Sequence, residues 1–198
     1  CSNTRQSTKQ KRPAIENTII ITAVAGVNAT KKAVIKSKNI DEYNTMLTPV
    51  VMNDPDPFDD ITKANKNQLI DISVWSILKS NLSPDKYEYG EDGMIIPEED
   101  VTAEFHKLFG TDTEPEHATV NGYGYTFTYD SAKHTYSIPL TGIVPTYTPD
   151  VIKVQKKSGA VVLTVGYLAG DQWAQNSEGD MVAPEPDKYM KITLREKD

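Results

Sequence analysis

Asp71 is the ionisable residue whose place in the sequence points most directly to chemistry. It lies within residues 56–82, where apolar side chains recur with the spacing of an α-helix. At about 100° per residue, Asp71 falls inside the apolar face of that helix, near Trp75. A carboxylate in an apolar setting has a raised pKa and can act as an acid or a base. The same place also suits a structural carboxylate that accepts hydrogen bonds from a loop or a tyrosine, or a carboxylate on a part of the face that is in contact with water, and all of these interpretations stay open.

A stripe of aromatic residues supplies the other candidates. Aromatic side chains alternate with small residues at the two-residue period of a β-strand, at Tyr123, Tyr125, Phe127 and Tyr129. Such a stripe can stack sugar rings or hold a peptide, or it can pack beneath a helix with its hydroxyls at the edge. The candidate ligand-binding residues are therefore Asp71, Trp75, Tyr123, Tyr125 and Tyr129.

Other catalytic and metal-binding patterns are absent or weak. The three histidines, His106, His117 and His134, fall in different predicted elements, so a zinc site is not predicted. The acids at positions 54–60 suit a helix N-terminus better than a calcium loop, because this stretch has two prolines and no turn glycine. The acids in residues 170–187 are interpreted as part of a solvated loop. Nucleotide-binding loops and a G-x-S-x-G motif do not occur, so no cofactor is expected and catalysis is the less favoured hypothesis.

Cys1 is the only cysteine, so the chain has no internal disulfide and no cysteine-based metal site. The motif Cys1-Ser2-Asn3 and the polar run at residues 4–12 resemble the start of a mature bacterial lipoprotein. In that family a signal peptide is cleaved just before a cysteine, whose thiol receives diacylglycerol, and a flexible polar tether follows. The resemblance implies lipid attachment at Cys1 and exposure on the cell membrane outside the cytoplasm. The alternative is a free cysteine that carries no lipid.

Charge and hydropathy narrow the range of partners and the organisation of the chain. Residues 1–38 carry eight basic residues and one acid, a net +7, which leaves −14 on the other 160 residues. An acidic body argues against nucleic acid as a partner. The most apolar run, residues 19–27, is too short for the roughly 20 residues that cross a bilayer. We expect a basic flexible tether at residues 1–18 and a single domain at residues 19–198.

The sequence patterns predict an order of elements along the domain. A helix is predicted over residues 56–82, a hairpin around residues 86–96, and a second helix from Pro97 to Gly110. Strands are predicted at residues 19–27, 120–129, 136–138, 161–167 and 190–194. Residues 28–55 give no clear pattern.

This order is similar to the cystatin-like class, and particularly to the cone of nuclear transport factor-like domains. The resemblance covers residues 56–196 and rests on element order. It implies an α+β fold in which a long and a short helix pack on one face of a curved antiparallel sheet, whose concave face can form a pocket. No motif of that family is present, so no functional residue is carried over.

Three functional hypotheses follow from these observations. The first is a non-catalytic, surface-tethered accessory or binding domain whose partners are other envelope proteins or wall polymers. The second is a small-molecule pocket or small enzyme of the cone-shaped class, with Asp71 as its acid or base. The third is a structural or inhibitor-like module that adds a strand at an exposed sheet edge. Nothing in the sequence predicts the oligomeric state.

Overall fold

The computed structural model describes residues 17–23, 40–80, 86–140, 142, 144–157 and 159–196. Three α-helices occur in these ranges: α1 Ile40–Val51, α2 Lys66–Lys79 and α3 Glu98–Phe109. The same ranges contain eleven strands, β1 Asn17–Ala23, β2 Tyr89–Gly90, β3 Gly93–Pro97, β4 Val120–Gly122, β5 Tyr125–Asp130, β6 Thr135–Ile138, β7 Tyr147–Lys157, β8 Ala160–Ala169, β9 Ala174–Gln175, β10 Met181–Val182 and β11 Lys188–Glu196. Within them no helix is long and apolar enough to cross a membrane.

The strands form antiparallel sheets, none of them closed. One sheet has the order β1-β11-β8-β7, a second has the order β2-β3-β6-β5-β4, and β9 and β10 form a separate ribbon. The predicted α+β class is therefore confirmed, whereas the prediction of a single curved sheet is wrong. β6 pairs with β3 and β5 whereas β7 pairs with β8, so the consecutive strands β6 and β7 belong to different sheets.

The first described strand, β1, lies beside the last one, β11, in the four-stranded sheet. β1 pairs with β11 along its whole length, and Ile21, Ile192 and Leu163 stand side by side on β1, β11 and β8. All three side chains are fully buried. The segment predicted at residues 19–27 is therefore a buried strand up to Ala23, and residues 24–27 lie outside the described residues. The predicted strands at residues 161–167 and 190–194 are confirmed as β8 and β11.

The helices contact both large sheets instead of one face of a single sheet. α1 packs on β7, α3 contacts both β1 and β3, and α2 contacts α1, α3 and β4. Because α2 has neighbours on several sides, its middle is buried all round, including the polar residue Ser73. The hydroxyl of Ser73 donates to the carbonyl of Leu69, one turn earlier, which satisfies it without solvent.

The predicted start of the long helix is wrong. Phe58 makes two backbone hydrogen bonds with Ile21 of β1, which holds this part of the chain extended. Asp60 then caps a single 3-10 turn at Ile61–Lys63, and the side chain of Asn65 caps α2 by accepting from the backbone of Asn67 and Gln68. The helix ends at Lys79, and residues 81–82 at the end of the predicted helix lie outside the described residues.

α1 is the element that the sequence did not predict. It contains Pro49, which cannot donate to the preceding turn. Thr45 and Thr48 donate their hydroxyls to the carbonyls of Asp41 and Asn44. By contrast, the β2–β3 hairpin and α3 agree with prediction, and α3 ends at Gly110 with a φ of 84° that favours glycine.

Candidate functional site

Asp71 lies at the centre of a buried hydrogen-bond network that joins α2, β5 and Asn53, two residues after α1. Its side chain is 7% exposed, as its helical position predicts. The hydroxyl of Tyr125 lies 2.8 and 2.9 Å from the two carboxylate oxygens and 3.1 Å from Oδ1 of Asn53. The indole N–H of Trp75 donates to the same hydroxyl oxygen at 2.9 Å.

This network can satisfy its groups in two protonation states. A tyrosine hydroxyl has one proton, which it donates to Asp71 when the carboxylate is ionised. When Asp71 carries a proton, the carboxyl group can donate to Tyr125, and the tyrosine proton can turn to Asn53. Burial is the larger influence and raises the pKa of Asp71 to about 6, although the hydrogen bond from Tyr125 acts in the opposite direction. Burial and the nearby carboxylate also raise the pKa of Tyr125.

Aromatic rings fill the space around this network. Trp75 meets Tyr125 edge-on at 5.3 Å between centroids, and Phe127 lies 4.7 Å from Tyr125 and 5.7 Å from Trp75. The structure also has two surface pockets, which the next paragraphs describe, and neither of them is lined by Asp71 or Trp75. The geometry therefore matches the structural interpretation of Asp71, in which the carboxylate accepts hydrogen bonds from a tyrosine.

The predicted aromatic stripe is divided among three settings. Tyr125 and Phe127 are core residues, whereas Tyr123 is 94% exposed. β4 pairs with β5 up to Gly122 and Tyr125, so Tyr123 and Gly124 form a two-residue turn in which Gly124 has a φ of 82°. The extension of the strand period to Tyr123 is therefore wrong, because glycines on both sides permit this tight turn. Pocket 1, an open surface pocket of about 640 Å³, lies beside this turn on the outer face of β5 and β6.

Tyr129 belongs to a polar cluster that sequence reasoning missed. Its hydroxyl donates to the carboxylate of Glu98 at the start of α3, and His134 Nδ1 lies 3.0 Å from the same carboxylate. His117 stacks on Tyr129 with 5.7 Å between ring centroids. Its two ring nitrogens lie 2.9 Å from the hydroxyls of Thr102 and Tyr136.

Electrostatics in this cluster follow from its hydrogen bonds. The hydrogen bond from Tyr129, with a second from His134, holds the pKa of Glu98 below its usual value. The same hydrogen bond raises the pKa of Tyr129 to about 12. Burial lowers the pKa of His117, so its neutral form is favoured.

Pocket 2 lies beside this cluster on the surface of α3. It is open, measures about 680 Å³, and is lined by Glu98, His106 and His134 among others. His134 adopts a φ of 54°, which is uncommon for a residue with a side chain. No local sequence signal indicated this contact, because it depends on the β3–β6 register, which pairs Pro97 with Thr135 and so places His134 next to Glu98. Among the described residues, no group of three histidines, cysteines or acids is placed to hold a metal ion.

A third candidate is the segment at residues 170–187, which we call the acidic arm. It leaves β8, forms the β9–β10 ribbon and returns to the sheet at β11. Every residue from 171 to 183 is exposed, yet the segment contains Trp173, Met181 and Val182, which are 37%, 62% and 48% exposed. The predicted solvated loop is thus exposed as expected, but it has a defined strand pairing that its polar composition did not predict.

Comparisons with protein-family models, with curated proteins and with solved structures found no match for this chain. The candidate residues are therefore assigned from geometry alone. Of the predicted binding residues, the structure brings together Asp71, Trp75 and Tyr125, and it separates Tyr123 and Tyr129 from them. Cys1 lies outside the described residues.

Proposed function

We propose that this protein is a non-catalytic binding domain of an exported bacterial lipoprotein, anchored to the cell membrane through lipid on Cys1 and exposed outside the cytoplasm. Its proposed partners are other envelope proteins or wall polymers. The observation that carries the binding role is the acidic arm, which exposes Trp173 just before the β9–β10 ribbon and Met181 and Val182 on β10, none of which belongs to the buried core. Exposed apolar side chains grouped on one element are typical of an interaction surface.

The interior supports this proposal as well. Asp71 is the predicted acid or base, but its carboxylate is occupied by Tyr125, and rings fill the surrounding space. A binding role therefore rests on the outer surface, and the anchor on the motif Cys1-Ser2-Asn3 with its polar continuation.

A second candidate function is a small-molecule site of the cone-shaped α+β class. The observation that favours this candidate is pocket 2 and not Asp71. In pocket 2 the Glu98 carboxylate and an imidazole nitrogen of His134 lie 3.0 Å apart. A carboxylate that orients an exposed imidazole is a recurring acid–base pair. The likeness to the nuclear transport factor-like cone is part of this second proposal, with the five-stranded sheet, α2 and α3 as the corresponding elements.

A third candidate, strand addition at the β7 edge, has less support. Residues 152–157 of this edge strand carry Lys153, Lys156 and Lys157, and the register shifts between Val151 and Lys153. Lysines and bulges on an edge strand oppose pairing with another chain.

The anchor is tested by Cys1→Ser in the native host, expressed from the complete gene. We expect the unchanged protein in the membrane fraction and the variant released from it, with an unchanged melting temperature, because the described core contains no residue before Ile19. Ser2→Ala is the matched control and is expected to remain in the membrane fraction. Membrane association of Cys1→Ser at the level of the control would contradict the anchoring role.

A further inference from the structure

We propose that the acidic arm is a docking site for a basic peptide segment of a partner protein, one in which lysines or arginines alternate with apolar side chains. This inference deepens the proposed binding function and rests on it. The partner's chemistry is read from the arrangement of apolar and acidic side chains on the arm.

The arm presents an apolar surface in its middle. Met181 pairs with Gln175 and Val182 with Ala174, so each pair shares one face of the ribbon. Trp173 directly precedes β9 in the chain. Both faces of the ribbon therefore carry apolar side chains, and every one of these residues is exposed.

Acids lie on both sides of this apolar middle. Asp171, Glu185 and Asp187 lie at the base of the arm, Glu178 and Asp180 lie at its tip, and residues 170–187 contain no lysine, arginine or histidine. The next basic residue, Lys188, pairs with Asp54 and lies over the rings of Tyr147 and Tyr167 at 5.0 and 5.2 Å. The arm thus has a formal charge of −5, and a basic segment is the complementary ligand.

Hydrogen bonds fix the conformation of the arm at its base and at its tip. At the base, Gly170 N–H donates to the carbonyl of Thr146 and Asp187 N–H donates to that of Tyr167. At the tip, the side-chain oxygen of Asn176 accepts from the backbone of Glu178 and Asp180 at 2.9 Å each. A fixed ribbon loses little conformational entropy when it binds.

Backbone geometry favours an extended ligand. β9 and β10 pair with each other over two residues each, and no other strand of the described residues pairs with them. The outer edges of this two-stranded ribbon offer unpaired N–H and C=O groups. An added strand would pair with those groups and place its alternate side chains beside Met181 and Val182.

The test uses a synthetic peptide, Lys-Val-Lys-Ile-Lys-Val-Lys, added to the complete chain labelled with ¹⁵N. The chain has two tryptophans, so two indole N–H signals are expected. Trp173 reports on the arm, and Trp75, bonded to Tyr125 in the interior, is an internal control. We expect the peptide to shift the Trp173 signal in a saturable way and to leave the Trp75 signal in place.

Matched variants test the charge and the apolar contacts separately. Glu178→Gln with Asp180→Asn is expected to weaken binding about five- to tenfold, since each exposed charge pair contributes modestly. Glu91→Gln with Asp92→Asn, at the tip of the β2–β3 hairpin, is the control and is expected to leave the affinity unchanged. Met181→Ser should weaken binding, whereas Ile152→Ser, at a similarly exposed site on β7, should not.

Several results would overturn the inference. These are no shift at Trp173, equal binding of Glu-Val-Glu-Ile-Glu-Val-Glu, or equal loss in the arm variants and their controls. Tighter peptide binding after Lys31, Lys32, Lys36 and Lys38 are replaced by Gln would identify the chain's own basic segment as the occupant and would also overturn it. If peptide binding fails while Cys1-dependent anchoring persists, only this inference falls; if anchoring fails while the peptide binds, only the proposed lipid anchor falls.

Discussion

At the scale of single residues, the carboxylate of Asp71 lies in a buried interior that destabilises its ionised form. Its two oxygens face one tyrosine hydroxyl in an interior packed with rings, and its pKa rises to about 6. The folded protein therefore binds a proton at this site more readily than the unfolded chain does. Stability from this group is fully present below about pH 4 and is lost as the pH rises through about 6.

We predict that Asp71→Asn removes this pH dependence. A shift of roughly two pKa units corresponds to roughly 3 kcal/mol in the free energy of unfolding. Relative to the unchanged protein, the variant should therefore gain up to about 3 kcal/mol between pH 4 and pH 7, as measured by urea denaturation at a series of pH values. The amide keeps one oxygen that accepts from Tyr125, so the fold should persist.

Asp92→Asn, in the exposed β2–β3 turn, is the matched control for this experiment. Acids such as Glu98 and Asp100, whose pKa values are lowered, act in the opposite direction in both proteins and cancel in the comparison. Parallel stability curves for Asp71→Asn and the unchanged protein would show that the carboxylate is not buried as described.

The position of Asp71 was predictable from sequence, but its partner was not. Helical spacing places Asp71 on an apolar face, whereas Tyr125 lies 54 positions later, on another element. The Glu98–His134 contact was equally hidden, because it depends on the register between β3 and β6. Local periodicity predicts burial, whereas a side-chain partner far along the chain requires the tertiary fold.

At the scale of elements, strands and helices with strong periodicity were predictable and those shaped by distant contacts were not. α3, β8 and β11 follow their sequence patterns. α2 starts later than its acidic residues suggest, because the backbone of Phe58 pairs with β1. α1 was not predicted because it contains Pro49 and threonines, which are poor helix formers in isolation.

β1 gives a prediction at this scale. Ile19 and Ile21 are fully buried against β11, so deletion of residues 1–23 should lower the free energy of unfolding by at least roughly 3 kcal/mol. Deletion of residues 1–16 removes nothing from the described core and should leave the free energy of unfolding unchanged. Thermal and urea unfolding of the two truncated proteins measures this difference in the free energy of unfolding. Equal stability of the two would contradict the role of β1.

At the scale of the whole molecule, exposed apolar residues and the acidic arm lie at the same end of the four-stranded sheet. β8 ends and β11 begins where the acidic arm joins the sheet, and β7 starts beside them, with Tyr147 paired to Ala169. Val144, which is 69% exposed, precedes β7. Exposed apolar groups and a formal charge of −5 therefore occur together at this end of the four-stranded sheet.

The arm could not be recognised as an ordered element from the sequence, because its strands are two residues long and its composition is that of a loop. The tip contacts of Asn176 and the backbone bonds at the base give it its shape. Those contacts make the arm a surface that a partner can recognise.

Site-specific photo-cross-linking in intact cells of the native host tests the binding role of this surface most directly. Benzoylphenylalanine replaces Met181 in the arm or, as the matched control, Ile152 on β7, and mass spectrometry identifies the cross-linked segment. We predict adducts from the Met181 position alone, formed with a partner segment in which lysine or arginine alternates with apolar residues. Equal adducts from both positions, or acidic or uncharged segments at the Met181 position, would contradict the account.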